Sequence, residues 1–419
     1  MKICLVHNAY GKVSGEEVVV EGLATLLAAR GHTVLRFSRS SEEIPGKFLG
    51  SAQAFLAGIY NPFARRLFGR FLDTYRPDVV HAHNLFPFLS PAILPECTRR
   101  RVPVVLTLHN YRFLCPNALL LRVGRPCHEC VGGHEWRCVW HNCERSFAKS
   151  LGYALRTAFA RRSGLVLRHV NEFICLTEFQ RDLHVRAGFP ADRMTVVPNP
   201  APEKAGAQKL KAEMLEAQTG RRETEGSRTI EQSDSGRQYV GYLGRVSFEK
   251  DVPTLVAAAR RLPEIPFRVA GSYWRMEESV KHAPPNVEFL GHVEGERLRE
   301  FFAGMRLLAF ATRFYEGFPM VLVEAMVRGI PIVCTRIGGL PEIVEDGQTG
   351  LLYEPGDAAD LAAKISALWK DAALRERLTQ AAAAKVQRLY SPDAVYEKLG
   401  AVYARAAEGA RGKAETLKR

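Results

Sequence analysis

Long apolar runs are absent from this sequence of 419 residues: none approaches the ~20 that cross a membrane. The stretch at 2–6 that follows Met1 is too short for the core of a secretory leader. A cytoplasmic protein is expected, at most peripheral on the inner face of the cell membrane. Nucleic-acid recognition motifs are also absent, and the basic residues are dispersed. A net charge of +13 therefore points to an anionic lipid surface or a phosphate-bearing substrate, and no nucleic-acid partner is expected. A repeated Cys-x2-Cys is lacking: Cys127 and Cys130 have that spacing and nothing downstream matches it. Five of the nine cysteines fall inside 115–143, which in a cytoplasmic chain argues against a disulfide framework. No complete glycine-rich dinucleotide fingerprint occurs either, since the loop after the first strand offers only Gly11 and Gly15.

What is present is ordinary globular material, 47% hydrophobic and 25% charged, in a chain too long for one core. Short apolar runs predict strands at 2–6, 33–37, 78–83, 102–109, 172–177 and 194–199. Helical periodicity intervenes at 16–30, 61–75 and 150–168. Residues 201–237 nearly lack large apolar side chains and read as a polar linker (200–237) with a solvated helix at 208–218. The strand pattern restarts at 239–245 and returns at 267–271, 287–291, 307–311 and 331–335, with helices at 320–327, 358–389 and 391–408. An α/β chain of two domains follows, 1–199 and 238–390, with a helical tail at 391–419.

The second domain is organised around residues 313–329. An apolar strand leads into a turn with Glu316, Gly317, Phe318 and Pro319, and a helix from Met320 carries Glu324. Strand, glycine-containing turn and helix N-terminus place backbone N–H groups and partial positive charge at one spot, which suits a phosphate. Two acids first suggest a glycosidase. Eight helical steps would separate them by ~12 Å, however, against the ~5–5.5 Å of retaining hydrolases. They are better suited to two parts of one long ligand.

Glu316-Gly-Phe-Pro-x4-Glu324 resembles the acidic signature of retaining GT-B glycosyltransferases of family 4. Gly244-Arg245-x4-Lys250 resembles that family's diphosphate clamp, and His109 in Leu-Thr-Leu-His-Asn-Tyr matches the position that contacts the donor sugar. His292 and Val293 resemble the segment that meets the nucleobase. Gly15, in Ser-Gly-Glu, falls in the slot of a Gly-Gly-x-Glu loop whose backbone closes over donor or acceptor. The resemblance implies two Rossmann-like domains facing a central cleft, with the tail helix crossing back to the first. It implies transfer of a sugar from a nucleoside-diphosphate sugar to an acceptor hydroxyl with retention. Arg245 and Lys250 would stabilise the departing diphosphate in place of a metal. Glu316 would orient sugar hydroxyls and Glu324 would hold the ribose. Two departures stand out: Asp251 replaces the glycine that often follows the lysine, and Gly271-Ser-Tyr-Trp replaces Gly-x-Gly-Pro. The Asp251 carboxylate is expected to cap the following helix and to lower the local positive potential.

Residues 115–143 are unusual. Cys127 and Cys130 have the spacing of half a tetrahedral zinc site, and Cys143 with Cys115 or Cys138 supplies a second half. A structural zinc on Cys115, Cys127, Cys130 and Cys143 is expected, with reduced thiols or a redox pair as alternatives. The helix at 61–75 aligns Phe63, Ala64, Leu67, Phe68, Phe71, Leu72 and Tyr75 on one side and Arg65, Arg66, Arg70 and Arg76 on the other. It reads either as packed on the sheet with a basic solvated face or as lying on an anionic membrane. With Arg99-Arg100-Arg101, it suggests a lipid-linked or polysaccharide acceptor at that surface. Two other classes compete: a GT-B protein that only binds nucleotide or glycan, and a zinc-organised nucleic-acid binder.

Overall fold

The computed structural model describes residues 1–9, 15–40, 55–202, 237–274, 276 and 280–416, without the side chains of 411–416. The helix expected at 208–218, Gly11 and Ser14 lie outside the described residues. The chain divides into two compact units, one of residues 1–120, 127–200 and 392–419, the other of residues 121–126 and 201–391.

In unit 1 the strands are β1 (Lys2–Ala9), β2 (Thr33–Ser40), β3 (Val79–Asn84) and β4 (Val104–Thr107). The two-residue strands β5 (Leu121–Arg122) and β6 (Arg125–Pro126), an antiparallel pair, fall in the other unit, and β7 (Glu172–Cys175) and β8 (Met194–Val196) complete the strands of unit 1. They form a six-stranded parallel sheet in the order β2-β1-β3-β4-β7-β8. Every residue of β3 and β4 is buried, as expected of central strands covered on both faces. On one face, helix α1 (Gly15–Ala29) supplies Val20, Leu23 and Leu27, and the C-terminal helix Pro392–Thr416 supplies Val395, Leu399 and Tyr403. On the other, α2 (Pro62–Tyr75) inserts Ala64, Phe68 and Leu72. Asn61 caps α2 through its side chain, which accepts from the Ala64 N–H at 3.0 Å, and Pro62 stands in the first turn. The helical stretch at 150–168 is in fact α3 (Phe147–Arg162) plus a short turn, Leu165–His169, because Gly164 adopts φ +63° between them.

Unit 2 repeats the plan. Strands β9 (Tyr239–Leu243), β10 (Phe267–Ala270), β11 (Val287–Gly291), β12 (Met305–Phe310), β13 (Ile332–Thr335) and β14 (Leu351–Tyr353) form a parallel sheet. Their order is β11-β10-β9-β12-β13-β14. Helix α4 (Val252–Arg260) follows β9, and α5 (Met320–Val327) follows the turn after β12. Gly329, at φ +60°, ends α5 in the left-handed conformation its residue type suits. The helix expected at 358–389 is two, Ala358–Lys370 and Ala372–Lys385, because the Asp371 carboxylate caps the second by accepting from the Leu374 N–H at 2.9 Å.

Both sheets reverse direction once. In unit 1 the chain runs outward to β2 and then returns to the far side of β1, so the switch point lies between β1 and β3. In unit 2 it lies between β9 and β12. Ligands of such sheets bind beyond the carboxyl ends of the strands at that point. The residues that follow these four strands are therefore the ones to inspect.

Candidate active site

Beyond the carboxyl ends of β9 and β12, two loops are stitched together. The Arg313 N–H donates to the Glu249 carbonyl at 2.9 Å, and the Thr312 hydroxyl reaches the same oxygen at 3.4 Å. The Arg313 guanidinium donates to Asp251 Oδ1 at 2.5 Å. This framework brings Lys250 Nζ to 2.6 Å from Glu316 Oε1, although 66 residues separate them. Both side chains are largely buried, and the ammonium also lies over the Phe314 ring at 5.1 Å. Arg245 stands beside them, half exposed, 3.4 Å from Glu249. Two cations, each with a carboxylate partner, thus lie beyond the strands that flank the switch point of unit 2.

Asp251 behaves differently from expectation. It is buried at φ +51°, a left-handed conformation that glycine takes without strain and aspartate tolerates better than most residues. Asp251 can therefore stand where the family it resembles often has glycine. The carboxylate does not discharge Lys250: Oδ1 accepts from Arg313 and from the Thr254 hydroxyl at 2.8 Å, and burial raises its pKa. Gly271 has a steric reason as well. A Cβ there would sit 1.8 Å from the Gly244 carbonyl oxygen, so the ends of β9 and β10 approach as only glycine permits.

Glu316 lies in the turn, and only Met320 onward is helical, so the two acids are not eight helical steps apart. Glu324, on α5, has Arg328 at 3.8 Å. Pro319 precedes the helix in an extended conformation and no side chain caps it; of the first turn's N–H groups, that of Leu322 donates to the Pro319 carbonyl at 3.1 Å. Phe318 is buried edge-on to Tyr390, with centroids 5.4 Å apart, and anchors the turn that carries Gly317. His292 is exposed beside Glu294 at 3.1 Å, and Val293 is buried. These two follow β11, the edge strand, and not the switch point.

Unit 1 gathers imidazoles at the corresponding place. His7 lies in the last part of β1, His81 and His83 lie on β3, and His109 follows β4. The His81 and His83 rings lie 4.2 Å apart between centroids, tilted by 31°, and His83 and His109 stack at 5.2 Å. His83 Nδ1 meets His109 Nε2 at 2.9 Å. His81 is held at both nitrogens, by the Tyr403 hydroxyl at 2.8 Å and the Thr107 hydroxyl at 2.7 Å. Burial lowers all four pKa values, to about 4 for His7 and about 3 for His81 and His109. The cluster is therefore neutral at ordinary pH. A cavity of about 30 Å³ adjoins it, lined in part by His81, His83, Thr107, His109 and Asn199. Sequence reasoning singled out His109 and missed His7 and His81. Alternation along a strand, which puts His81 on the same side as His83, was the available signal. Asn84 and Asn110 are loop organisers: Asn84 Oδ1 accepts from the Phe86 N–H at 3.0 Å, and Asn110 Oδ1 from the Arg112 N–H at 3.1 Å. Gly15 opens α1, but Glu16 and Glu17 fill that helix's first turn and make it a poor seat for an anion.

Two expectations need correction. The cysteines form no zinc site: among the described residues no group of three or more His, Cys, Asp or Glu is arranged to hold a metal ion. The thiols of Cys115 and Cys130 share a hydrogen bond, as do those of Cys138 and Cys143, and Cys127 belongs to neither pair. Those bonds, and then burial, push the Cys130 and Cys138 thiols up. The four thiols of Cys115, Cys130, Cys138 and Cys143 act on one another electrostatically, and Cys127 is not among them. The basic surface is also smaller than the sequence suggests. Arg65, Arg99 and Arg100 all converge on buried Glu96, at 2.8, 2.8 and 2.6 Å, and hold its carboxyl down at about 2. On α2 the single apolar stripe is divided: Phe68 and Leu72 are core, while Phe63 and Leu67 are exposed beside Arg66 and Arg70. Among the described residues no helix is long and apolar enough to cross a membrane.

Comparison with known proteins agrees with this division. Residues 13–203 match the model of "Glycosyltransferase Family 4" and residues 223–385 that of "Glycosyl transferases group 1". The sulfoquinovosyl transferase SQD2 of Arabidopsis thaliana is 32% identical over 152 residues, 35% of this chain and 29% of that protein. The capsular polysaccharide biosynthesis glycosyltransferase CapM of Staphylococcus aureus is 28% identical over 175 residues, 39% of this chain and 45% of that one. The chain therefore spans less than half the length of these curated relatives. Anabaena HepE, solved in complex with UDP, shares the fold at a TM-score of 0.61 and 19% identity, over 96% of this chain and 100% of that one.

Proposed function

The chain is a GT-B glycosyltransferase with family 4 and group 1 domains, and from that premise we propose that it moves a sugar from a nucleoside-diphosphate sugar to an acceptor hydroxyl with retention. The observation that carries this reading is the Lys250–Glu316 pair at 2.6 Å, beside Arg245, at the switch point of unit 2. A diphosphate needs cations and a sugar hydroxyl needs a carboxylate. The pair presents both within one ligand's reach, and each partner keeps the other compensated before the ligand arrives. When the donor binds, Lys250 turns from Glu316 to phosphate, and Glu316 accepts from sugar hydroxyls. Arg245, half exposed, can follow the negative charge that grows on the leaving diphosphate.

In the step itself the bond from the anomeric carbon to the phosphate oxygen breaks with its electron pair. The acceptor oxygen bonds to that carbon from the same face, and its proton passes to the departing phosphate oxygen. No carboxylate need act as nucleophile. Glu324 holds the ribose and His109 contacts the sugar; Gly317, Phe318 and Pro319 support the turn that presents Glu316. Gly15, His292 and Val293 keep the roles their resemblance implies, in donor or acceptor closure and at the nucleobase.

The acceptor is a lipid-linked or polysaccharide intermediate, reached on the cytoplasmic face of the membrane, in cell-surface polysaccharide or glycolipid synthesis. The net charge of +13 supports this, as do exposed Phe63, Leu67, Arg66 and Arg70 on α2. Exposed Trp136 and Trp140, and Phe147, Leu151 and Leu155 along one side of α3, add aromatic and apolar surface suited to a headgroup boundary. A panel of nucleoside-diphosphate sugars tested for protection against thermal unfolding examines the donor assignment. A ligand at 100 times its dissociation constant adds about 2.7 kcal/mol to the folded state. No upshift with any donor would leave the proposal without a substrate.

A further inference from the structure

His109 has two nitrogens, and the one at Nε2 is already committed to His83 Nδ1 at 2.9 Å. Only Nδ1 is left to meet a ligand, and whether it gives or takes a hydrogen bond depends on which of the two rings carries the shared proton. His83 decides this. Its Nε2 is sealed from solvent and has no hydrogen-bond partner among the described residues. Were the His83 proton on Nε2, the structure would contain an orphaned buried N–H, the rarer and costlier kind of unsatisfied group, at about 1–3 kcal/mol. With the proton on Nδ1, His83 donates to His109 Nε2 and keeps only a bare lone pair at the sealed position. His109 must then carry its own proton on Nδ1. Neither ring can escape by taking a second proton, because four imidazoles crowd together: the His81 ring lies 4.2 Å from that of His83, and His7 acts on it from β1.

We propose that His83 is a positioning residue that locks His109 in the Nδ1–H tautomer, so that His109 meets its ligand as a neutral hydrogen-bond donor. The group it recognises is then an oxygen with an available lone pair, such as a sugar hydroxyl or ring oxygen, and not a hydroxyl seeking an acceptor. The ligand half of this rests on the reading of His109 as a sugar contact; the tautomer half does not. The parallel stack, with planes 25° apart, also fixes the ring's direction.

The test is made first on the ligand-free full chain with histidine labelled at the ring nitrogens. Two-bond nitrogen–proton correlation spectra distinguish a protonated from a bare nitrogen, and His109→Gln and His83→Phe assign the two rings. Wild type is expected to show His109 protonated at Nδ1 and His83 at Nδ1. His109 protonated at Nε2 in wild type overturns the proposal whatever any variant does. His83→Phe, which keeps a ring to stack, should release His109 into a mixture of tautomers and raise KM for the donor about tenfold. His83→Asn, which keeps an amide near the Nδ1 position, should restore the Nδ1–H form and most of the affinity. If Phe is harmless and Asn damaging, packing is the role and the inference fails. If the tautomer is as stated while His109→Gln leaves donor kinetics unchanged, the sugar-contact reading fails and the lock survives.

Discussion

At the switch point of unit 1 stand three buried imidazoles and the half-buried His109, neutral because desolvation pushes their protons off. At the switch point of unit 2 stand a lysine and a glutamate 2.6 Å apart with an arginine beside them. The two sheets have the same parallel build and the same single reversal, yet one end offers hydrogen bonds and the other offers charge. The difference follows from what each end can compensate. Unit 2 matches its cations internally, Lys250 with Glu316 and Arg313 with Asp251, so charge can stay in a half-buried loop. In unit 1 Glu16 lies 3.6 Å from His7, the one carboxylate in ion-pair reach of the cluster among the described residues, and the rings give up protons instead. A polyanionic donor head suits the first kind of end, and neutral hydroxyls suit the second.

Breaking the charged end should have the largest effect. Lys250→Ala and Arg245→Ala are each expected to lose ~2–4 kcal/mol of transition-state stabilisation, roughly 30- to 1,000-fold in turnover. Near-normal turnover in both variants, with unfolding unchanged, would remove the clamp.

The neutral end is sharpened by pH. Unfolded, His7, His81 and His109 take up protons near pH 6.5; folded, they do so only at about 4, 3 and 3. Above 6.5 neither state is protonated and nothing is lost. As pH falls below 6.5 the unfolded chain gains protons first, so stability falls. Between 6.5 and 5 this amounts to about 2 kcal/mol for each histidine that acts independently. Glu96 is held down at about 2 from an ordinary value near 4.5, so its loss comes at lower pH. Denaturant unfolding at pH 7 and pH 5 should show the drop, and equal stability at the two would contradict the burial argument.

The smallest effect concerns the surface of unit 1. Arg66→Ser and Arg70→Ser should each weaken binding to anionic vesicles by about 1 kcal/mol and leave neutral vesicles unaffected. Equal sedimentation with both vesicle types, or none with either, would turn attention to a soluble acceptor.

How much of this was legible in the sequence depended on whether the signal was local. The alternation of short apolar runs with helical periods was enough for two parallel α/β domains. The acidic signature and the Gly-Arg-x4-Lys run could be picked out because each is contiguous in the sequence. That Lys250 touches Glu316 was not readable, since it needs β9 beside β12. His7 was assigned to a loop because the apolar run stops at Val6, whereas β1 continues to Ala9 by pairing with β2 and β3. The cysteine pairing was out of reach, as five thiols in a short insertion allow more partnerships than spacing can decide. A helical wheel gave α2 an apolar side but not the neighbour that would cover only half of it. Asp251 looked like a lost glycine until its positive φ showed what the position demands.

The central claim is that unit 2 binds a nucleoside diphosphate through Lys250 and Arg245. It is tested most directly by calorimetric titration of UDP and of GDP into the wild-type chain and into Lys250→Ala. The account predicts one nucleotide bound per chain in wild type and at least tenfold weaker binding in the variant, with unchanged thermal unfolding of the ligand-free protein. Equal affinity in both proteins, or no binding of either nucleotide by wild type, would contradict it.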